Sequence, residues 1–258
     1  MPKASSGERG ALQRWIARAR ATVVGGWVFL YLLTGGLFNV LRSLLTGEVK
    51  YVYRGARWSM EVALRLAGVE AVVRGAENFP RGQCIYMANH QSNIDPPIVF
   101  TVLPERIAFM GKKQLWSVPI LGTALRLGEF IPVHREVKEE ARASVEEALE
   151  VLRRGTVSLM VYPEGTRSFD GRLLPFKGGV FLLAIRSGLP IVPCTLDGAT
   201  DVMPKAIWQV YPKVVTVTIH APIETRGLTE DERYRLAERV RAAIASALPE
   251  GLQGTQDG

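Results

Sequence analysis

The sequence predicts an α/β fold: a single mixed, largely parallel sheet flanked by helices, with an N-terminal membrane-associated helical hairpin. Three observations predict it. Short apolar runs alternate with longer amphipathic stretches from about residue 71 onward, the pattern of strands covered on both faces by crossover helices. Ahead of them, residues 22–41 carry no charge, and about 20 apolar residues is the length that crosses a bilayer. With 258 residues, the chain can bury the core of one large domain and still carry an appendage.

Residues 1–70 read as a membrane-anchoring segment, 71–249 as the α/β domain and 250–258 as a disordered polar tail. Lys3, Arg9, Arg14, Arg18 and Arg20 precede the apolar run, and Arg42, Lys50, Arg54 and Arg57 follow it. Basic flanks on both sides suit the anionic surface of one leaflet, because a single span gathers positive charge on one side only. The expectation is a hairpin in one leaflet, broken at Thr46-Gly47, whose second helix carries Trp58, Val62 and Leu66 as an apolar stripe. A spanning helix is the alternative. Trp15, Trp27, Tyr31, Tyr51, Tyr53 and Trp58 suit the interfacial zone. Gly25-Gly26 and Gly35-Gly36 either permit close helix packing or loosen the helix. The run exceeds the apolar core of a cleaved signal peptide, so the segment is expected to stay with the mature protein.

In the α/β part, strand-like runs fall at 71–73, 84–87, 107–110, 157–162, 191–196 and 214–219. A helix over 137–154 gathers Ala141, Val145, Ala148, Leu149 and Leu152 on one face and stops at Gly155. Another, over 229–248, opens with the capping box Thr229-x-x-Glu232 and carries Leu236, Val240, Ile244 and Leu248 four apart. The two cysteines, Cys84 and Cys194, lie inside apolar runs and read as reduced core residues. The formal charge of +7 favours acidic partners; its position around the apolar run selects a lipid surface over nucleic acid.

Chemistry concentrates first in NHQSNIDP at 89–96. His90 leaves the strand over 84–87, and Asp95, five positions on, cannot share a helical face with it. The chain must bend, and Asp95 is expected to cap a helix that starts at Pro96. The pair is then either an oriented general base or a structural turn contact. The second stretch is VYPEGTRSFDGRLLPFKGG at 161–179. Gly165 lets backbone approach a ligand, Thr166 and Ser168 offer hydroxyls, and Arg167 can grip two phosphate oxygens. Lys177-Gly178-Gly179 opens an apolar helix whose amides add positive potential. A glycine-rich surface turn with a salt-bridged arginine would look the same. Arg135, ending FIPVHR at 130–135, is a second anion clamp or a solvated helix cap. Lys112 supports donor or phosphate binding, or is surface charge. The turn GLPIVP at 188–193 is structural, with lining of an acyl pocket as the alternative.

In their order and spacing, NHQSNIDP, GKKQLW through FIPVHR at 111–135, YPEGTRS with FKGG at 162–179, and LPIVPCTLDG at 189–198 resemble the glycerolipid acyltransferases. Within that family the likeness is to the bacterial 1-acylglycerol-3-phosphate (lysophosphatidate) acyltransferases, and it covers most of residues 80–200. The resemblance implies that His90 and Asp95 are the catalytic pair, and that Glu164, Gly165, Thr166 and Arg167, with Arg135, bind the glycerol-phosphate acceptor, Lys177 beside them. It implies acyl transfer from acyl-CoA or acyl carrier protein to the sn-2 hydroxyl of lysophosphatidate. Neither cofactor nor metal is expected beyond that co-substrate, and the expected place is the cytoplasmic face of an inner membrane. Glycerol-3-phosphate, another lysophospholipid or a lyso-aminolipid is the alternative acceptor. Gly179 stands where alanine is common in the family and Cys194 where a β-branched residue is common, which implies a slightly different pocket shape.

His90 would take the hydroxyl proton while Asp95 orients the ring. Ser92 is the alternative nucleophile, but direct attack by the alcohol needs no acyl-enzyme and Ser92 lacks a nucleophile elbow. Two other classes compete. A metal hydrolase would use His90, Asp95 and Glu164 as ligands, with only His134 and His220 as further histidines. A non-catalytic lipid-binding scaffold would keep the hairpin and tolerate loss of His90.

Overall fold

A computed structural model describes residues 6–104, 106–133 and 138–254, with 6–9 and 138–142 described by their backbone alone. The strands are β1 (Val69–Arg74), β2 (Ile85–Ala88), β3 (Ile107–Lys112), β4 (Ile131–Val133), β5 (Ser158–Val161), β6 (Ile191–Asp197) and β7 (Lys213–Ile219). They form one sheet in the order β1-β7-β6-β2-β5-β3-β4. Every neighbouring pair is parallel except β6 with β7, so the sheet is mixed and largely parallel. All six expected runs are strands. The addition is β4, three residues long with Pro132 in its middle; a proline that cannot donate to a ladder is tolerated at a sheet edge, which is where β4 lies.

The central strands alternate between two cores. In β2, Ile85 and Met87 join one buried cluster with α6 (Lys138–Arg153), α7 (Gly179–Ser187) and α9 (Arg233–Ala245). Tyr86 and Ala88 join the other, with α3 (Lys50–Ala67) and α4 (Asp95–Val102). Burial on both faces is why these strands read as unbroken apolar runs. The capping box of Thr229 and Glu232 is present, with a short 3-10 turn ahead of α9.

The N-terminal segment is one long bent helix and a returning one. α1 (Ser6–Tyr31) passes through a π turn at Leu32–Gly36 into α2 (Leu37–Thr46). Asn39 Nδ2 donates to the Gly35 carbonyl at 2.7 Å where the turn widens. Gly47, at φ 71°, ends the helix at the expected break, and α3 runs back beside α1 and α2. Residues Gly10–Thr46 are long and apolar enough to cross a membrane: 37 residues at 1.5 Å each is about 55 Å.

The buried face of α3 is Ser59, Ala63, Leu64 and Ala67, while Trp58 and Leu66 of the expected apolar stripe are 51% and 39% exposed. Trp27 and Tyr31 cluster with Trp58 between α1 and α3 at ring separations of 5.4 to 6.4 Å. Two expectations for this part need correction. Tyr53 stacks on Phe100 and its hydroxyl lies 2.8 Å from the Gly128 carbonyl. Arg57, expected at the lipid surface, caps the end of α4 by donating to the carbonyls of Thr101 and Leu103. At the other end, the tail expected to be disordered from 250 holds a 3-10 turn, Glu250–Leu252. Leu173 donates to the Leu252 carbonyl at 2.9 Å, and Arg241 of α9 to that of Gln253 at 3.1 Å.

Candidate active site

Parallel strands that end together leave a rim of loops, and His90, Asp95 and the turn at 164–167 lie together on that rim. β2 ends at Ala88, and the Asn89 side chain then bonds both backbone groups of Leu196, each at 2.8 Å, prolonging the β2–β6 pairing by one side chain. His90 follows with its exit direction already fixed. Its backbone is clamped by the loop after β5: the His90 amide donates to Glu164 Oε1 at 2.6 Å, and the Ser168 amide donates to the His90 carbonyl at 2.8 Å.

The expected histidine–aspartate contact is present, 2.7 Å from His90 Nδ1 to Asp95 Oδ2. The same oxygen accepts the amides of Gln91 and Ser92, each at 2.7 Å. Here the sequence expectation needs correction: Asp95 does not cap a helix beginning at Pro96. The helix begins at Asp95 with Ile94 as its N-cap, and the carboxylate folds back onto the loop it came from. Asp95 is fully buried, while the His90 side chain is 14% exposed. A buried anion facing Nδ1 favours a proton there, which leaves Nε2 as the acceptor.

Ser92 is buried and its hydroxyl donates to the Met203 carbonyl at 2.7 Å, away from the histidine. Both oxygens of Glu164 accept backbone amides, Oε1 from His90 and Oε2 from Leu174 at 3.0 Å, and the residue is 3% exposed. It ties two loops together. Burial pushes its pKa up to about 7, against the downward pull of the two amides.

The glycine turn is open to solvent. Gly165 has φ +68°, and a Cβ there would lie 2.9 Å from Lys177 Nζ, so the lysine arches directly over the glycine. Thr166 and Lys177 are exposed and Arg167 half-buried. The Arg167 carbonyl accepts Lys205 Nζ at 2.7 Å, while its guanidinium makes no hydrogen bond or ion pair with the described residues. Lys112 is exposed at the end of β3. Arg135 lies outside the described residues. A Cβ on Gly179 would meet nothing within 4 Å, so the family's alanine would fit there. Cys194 is buried and free.

Sequence reasoning missed Tyr162, whose ring stacks on His90 with centroids 4.0 Å apart and 15° between planes. It also missed Lys205 and Arg241, which support the loop from outside the motifs, and an apolar cavity of about 250 Å³ between hairpin and domain. Tyr31, Val40, Ala63, Pro97, Ile120 and Leu121 are among its walls. The turn at 188–193 does not line it.

The mixed sheet and its rim define an α/β architecture, and the comparisons give its class. Residues 70–197 match the acyltransferase family model, a span that holds the histidine–aspartate pair and the glycine turn. A 1-acyl-sn-glycerol-3-phosphate acyltransferase of Limnanthes douglasii is 33% identical over 223 residues, covering 86% of this chain and 73% of its own length. The alpha form of the enzyme from Homo sapiens is 34% identical over 213 residues, covering 82% and 70%. The crystal structure of the 1-acyl-sn-glycerophosphate (LPA) acyltransferase PlsC from Thermotoga maritima superposes with a TM-score of 0.77 at 28% identity, covering 91% of this chain and 94% of that one. The chain belongs to the acyltransferase family.

Proposed function

We propose that the protein transfers a fatty acyl group from a thioester, acyl-CoA or acyl carrier protein, to the sn-2 hydroxyl of lysophosphatidate, giving phosphatidate. The observation that carries this reading is the 2.7 Å contact between His90 Nδ1 and a fully buried Asp95 whose oxygen is held by two further amides. His90 Nε2 takes the proton of the acceptor hydroxyl as that oxygen attacks the thioester carbonyl; the carbon–sulfur bond breaks, and the thiolate leaves with the proton from the imidazolium. Asp95 stabilises the imidazolium in between.

The acceptor phosphate would lie at the Gly165 turn, where the Arg167 guanidinium, the Thr166 hydroxyl and Lys177 offer charge-assisted bonds. Glu164 shapes that turn from behind. Lys112 is a further cation at the strand ends for donor or phosphate. The cavity beside Pro97, two positions beyond Asp95, suits an acyl chain, since its walls are mostly aliphatic, with only Asn39 and Ser59 carrying polar side-chain groups besides the Tyr31 hydroxyl. The exposed apolar face of α1, the π turn and α2, including Phe29, Leu33, Phe38 and Leu45, suits a lipid environment, which is where an amphiphilic acceptor and product reside.

The experiment supplies the purified chain in lipid with labelled donors and a panel of acceptors: lysophosphatidate, glycerol-3-phosphate, and lysophospholipids with larger headgroups. Phosphatidate formation is expected to dominate, and Arg167→Ala is expected to raise the lysophosphatidate KM at least tenfold. Preference for an acceptor without a terminal phosphate, or an unchanged KM in Arg167→Ala, would contradict the assignment of the turn.

A further inference from the structure

We propose that Tyr162 is a positioning residue for His90: its ring fixes the plane of the imidazole and gives the imidazolium an aromatic face on which to lie. The inference rests on the reading of His90 as general base.

A single hydrogen bond fixes a point, not a plane. Asp95 Oδ2 holds His90 at Nδ1, which leaves the ring free to swing about that contact and carry Nε2 away from a bound hydroxyl. Tyr162 blocks the swing. Its centroid lies 4.0 Å from that of His90 with the planes 15° apart, the closest ring pair among the described residues. Tyr162 is itself held: the Gly165 amide donates to its carbonyl at 3.0 Å, and Phe109 backs its ring at 6.4 Å. Phe109 in turn rests on Phe100 and Phe130. The stack therefore joins the histidine to the packed aromatic core.

The ring is the working part, not the hydroxyl. The Tyr162 hydroxyl is buried without a hydrogen-bond partner among the described residues. Burial first, and then the nearby Asp95, hold its pKa well above the usual tyrosine value, so it stays neutral. A cation over the face of tyrosine within about 6 Å is attracted by the ring quadrupole, more strongly when water is excluded. The groups around His90 are Asp95 from α4, Tyr162 and Glu164 from the loop after β5, and Cys194 of β6 beside Tyr162. Glu164 acts on the backbone amide of His90, and Tyr162 is the group on its ring face.

The test compares Tyr162→Phe, Tyr162→Leu and His90→Ala in the full chain in lipid, reading kcat, KM for both substrates and the pH dependence of kcat/KM. Tyr162→Phe keeps the ring, and its kcat is expected within about twofold of wild type. Tyr162→Leu is expected to lose about ten- to thirtyfold in kcat, the worth of a desolvated cation–aromatic contact, with both KM values unchanged. Its acid limb is expected at lower pH, because an imidazolium that loses a stabilising face gives up its proton more easily. Should Tyr162→Leu fail to fold, Tyr162→Met is read the same way. Wild-type kcat and pH profile in the leucine variant would overturn the proposal, and so would a loss in Tyr162→Phe as large as in Tyr162→Leu. His90→Ala separates the two readings: if it is inactive while Tyr162→Leu is unimpaired, only the role of Tyr162 falls, and if it is active the base itself falls.

Discussion

One oxygen, Asp95 Oδ2, gathers the His90 ring and the amides of Gln91 and Ser92, so a single carboxylate both orients the base and closes the loop that carries it. Asp95→Asn keeps the size but presents an amide that cannot serve all three donors. It is expected to lower kcat by about a thousandfold or more while the chain stays folded, as loss of the orienting carboxylate does in comparable triads, with acyl-transfer kinetics and circular dichroism as the readouts. Glu164 is the second inward-turned carboxylate. A carboxyl whose native pKa is raised binds its proton first in the native state, so its contribution to stability falls as pH rises from the ordinary value of 4.5 to about 7. The slope is at most about 1.4 kcal/mol per pH unit. Glu164→Gln does not titrate and is expected to remove that component, seen by denaturant unfolding of both proteins across this window; parallel stability curves would contradict it. The identities of His90 and Asp95 were legible from residue type and spacing. The direction of Asp95 and the inward turn of Glu164 were not: Asp95 turns back to amides of its own loop, Gln91 and Ser92, a reverse bend that residue spacing does not encode, and Glu164 reaches His90, a residue of another loop that only the fold brings near.

At the scale of elements, the hairpin and the segment after β6 hold the site in place. α3 and α2 meet at Gly55, where a Cβ would sit 2.4 Å from both Asn39 Nδ2 and the Tyr31 hydroxyl. Gly55→Ala should therefore destabilise the hairpin by about 1–3 kcal/mol through overpacking, measured by thermal unfolding in detergent. The approach was invisible in sequence, since Gly55 stands alone in a polar stretch, whereas the Gly25 and Gly35 pairs drew the eye. Between α8 (Ala199–Val202) and β7, a strap reaches three places. Its Val210 amide donates to the Ala17 carbonyl of α1 at 3.0 Å, its Met203 carbonyl accepts the Ser92 hydroxyl, and its Lys205 holds the Arg167 carbonyl. Losing a charged hydrogen bond of this kind is worth about 1 kcal/mol or somewhat more. Lys205→Met is accordingly expected to raise the lysophosphatidate KM about three- to tenfold with little change in kcat. An unchanged KM would mean that Arg167 needs no such support.

Over the whole molecule, the sheet was readable because strands buried on both faces leave continuous apolar runs, and β4 escaped because three residues with a central proline leave almost no signal. The ordered start of the tail escaped for another reason: its bonds go to Leu173 and Arg241, far back in the chain. The apolar surface of α1 and α2 and the basic residues around it would act on a bilayer by different forces, and salt separates them, since screening weakens charge attraction but not apolar burial. The full chain is expected to float with neutral and anionic vesicles alike and to remain bound at about 1 M salt; complete release by salt would mean that charge alone holds it. The most direct measurement on the site is the rate of phosphatidate formation by His90→Ala, in lipid, from saturating labelled thioester and lysophosphatidate. A base oriented by a buried carboxylate predicts a fall of about a thousandfold or more in a folded protein, and transfer at the wild-type rate would contradict it.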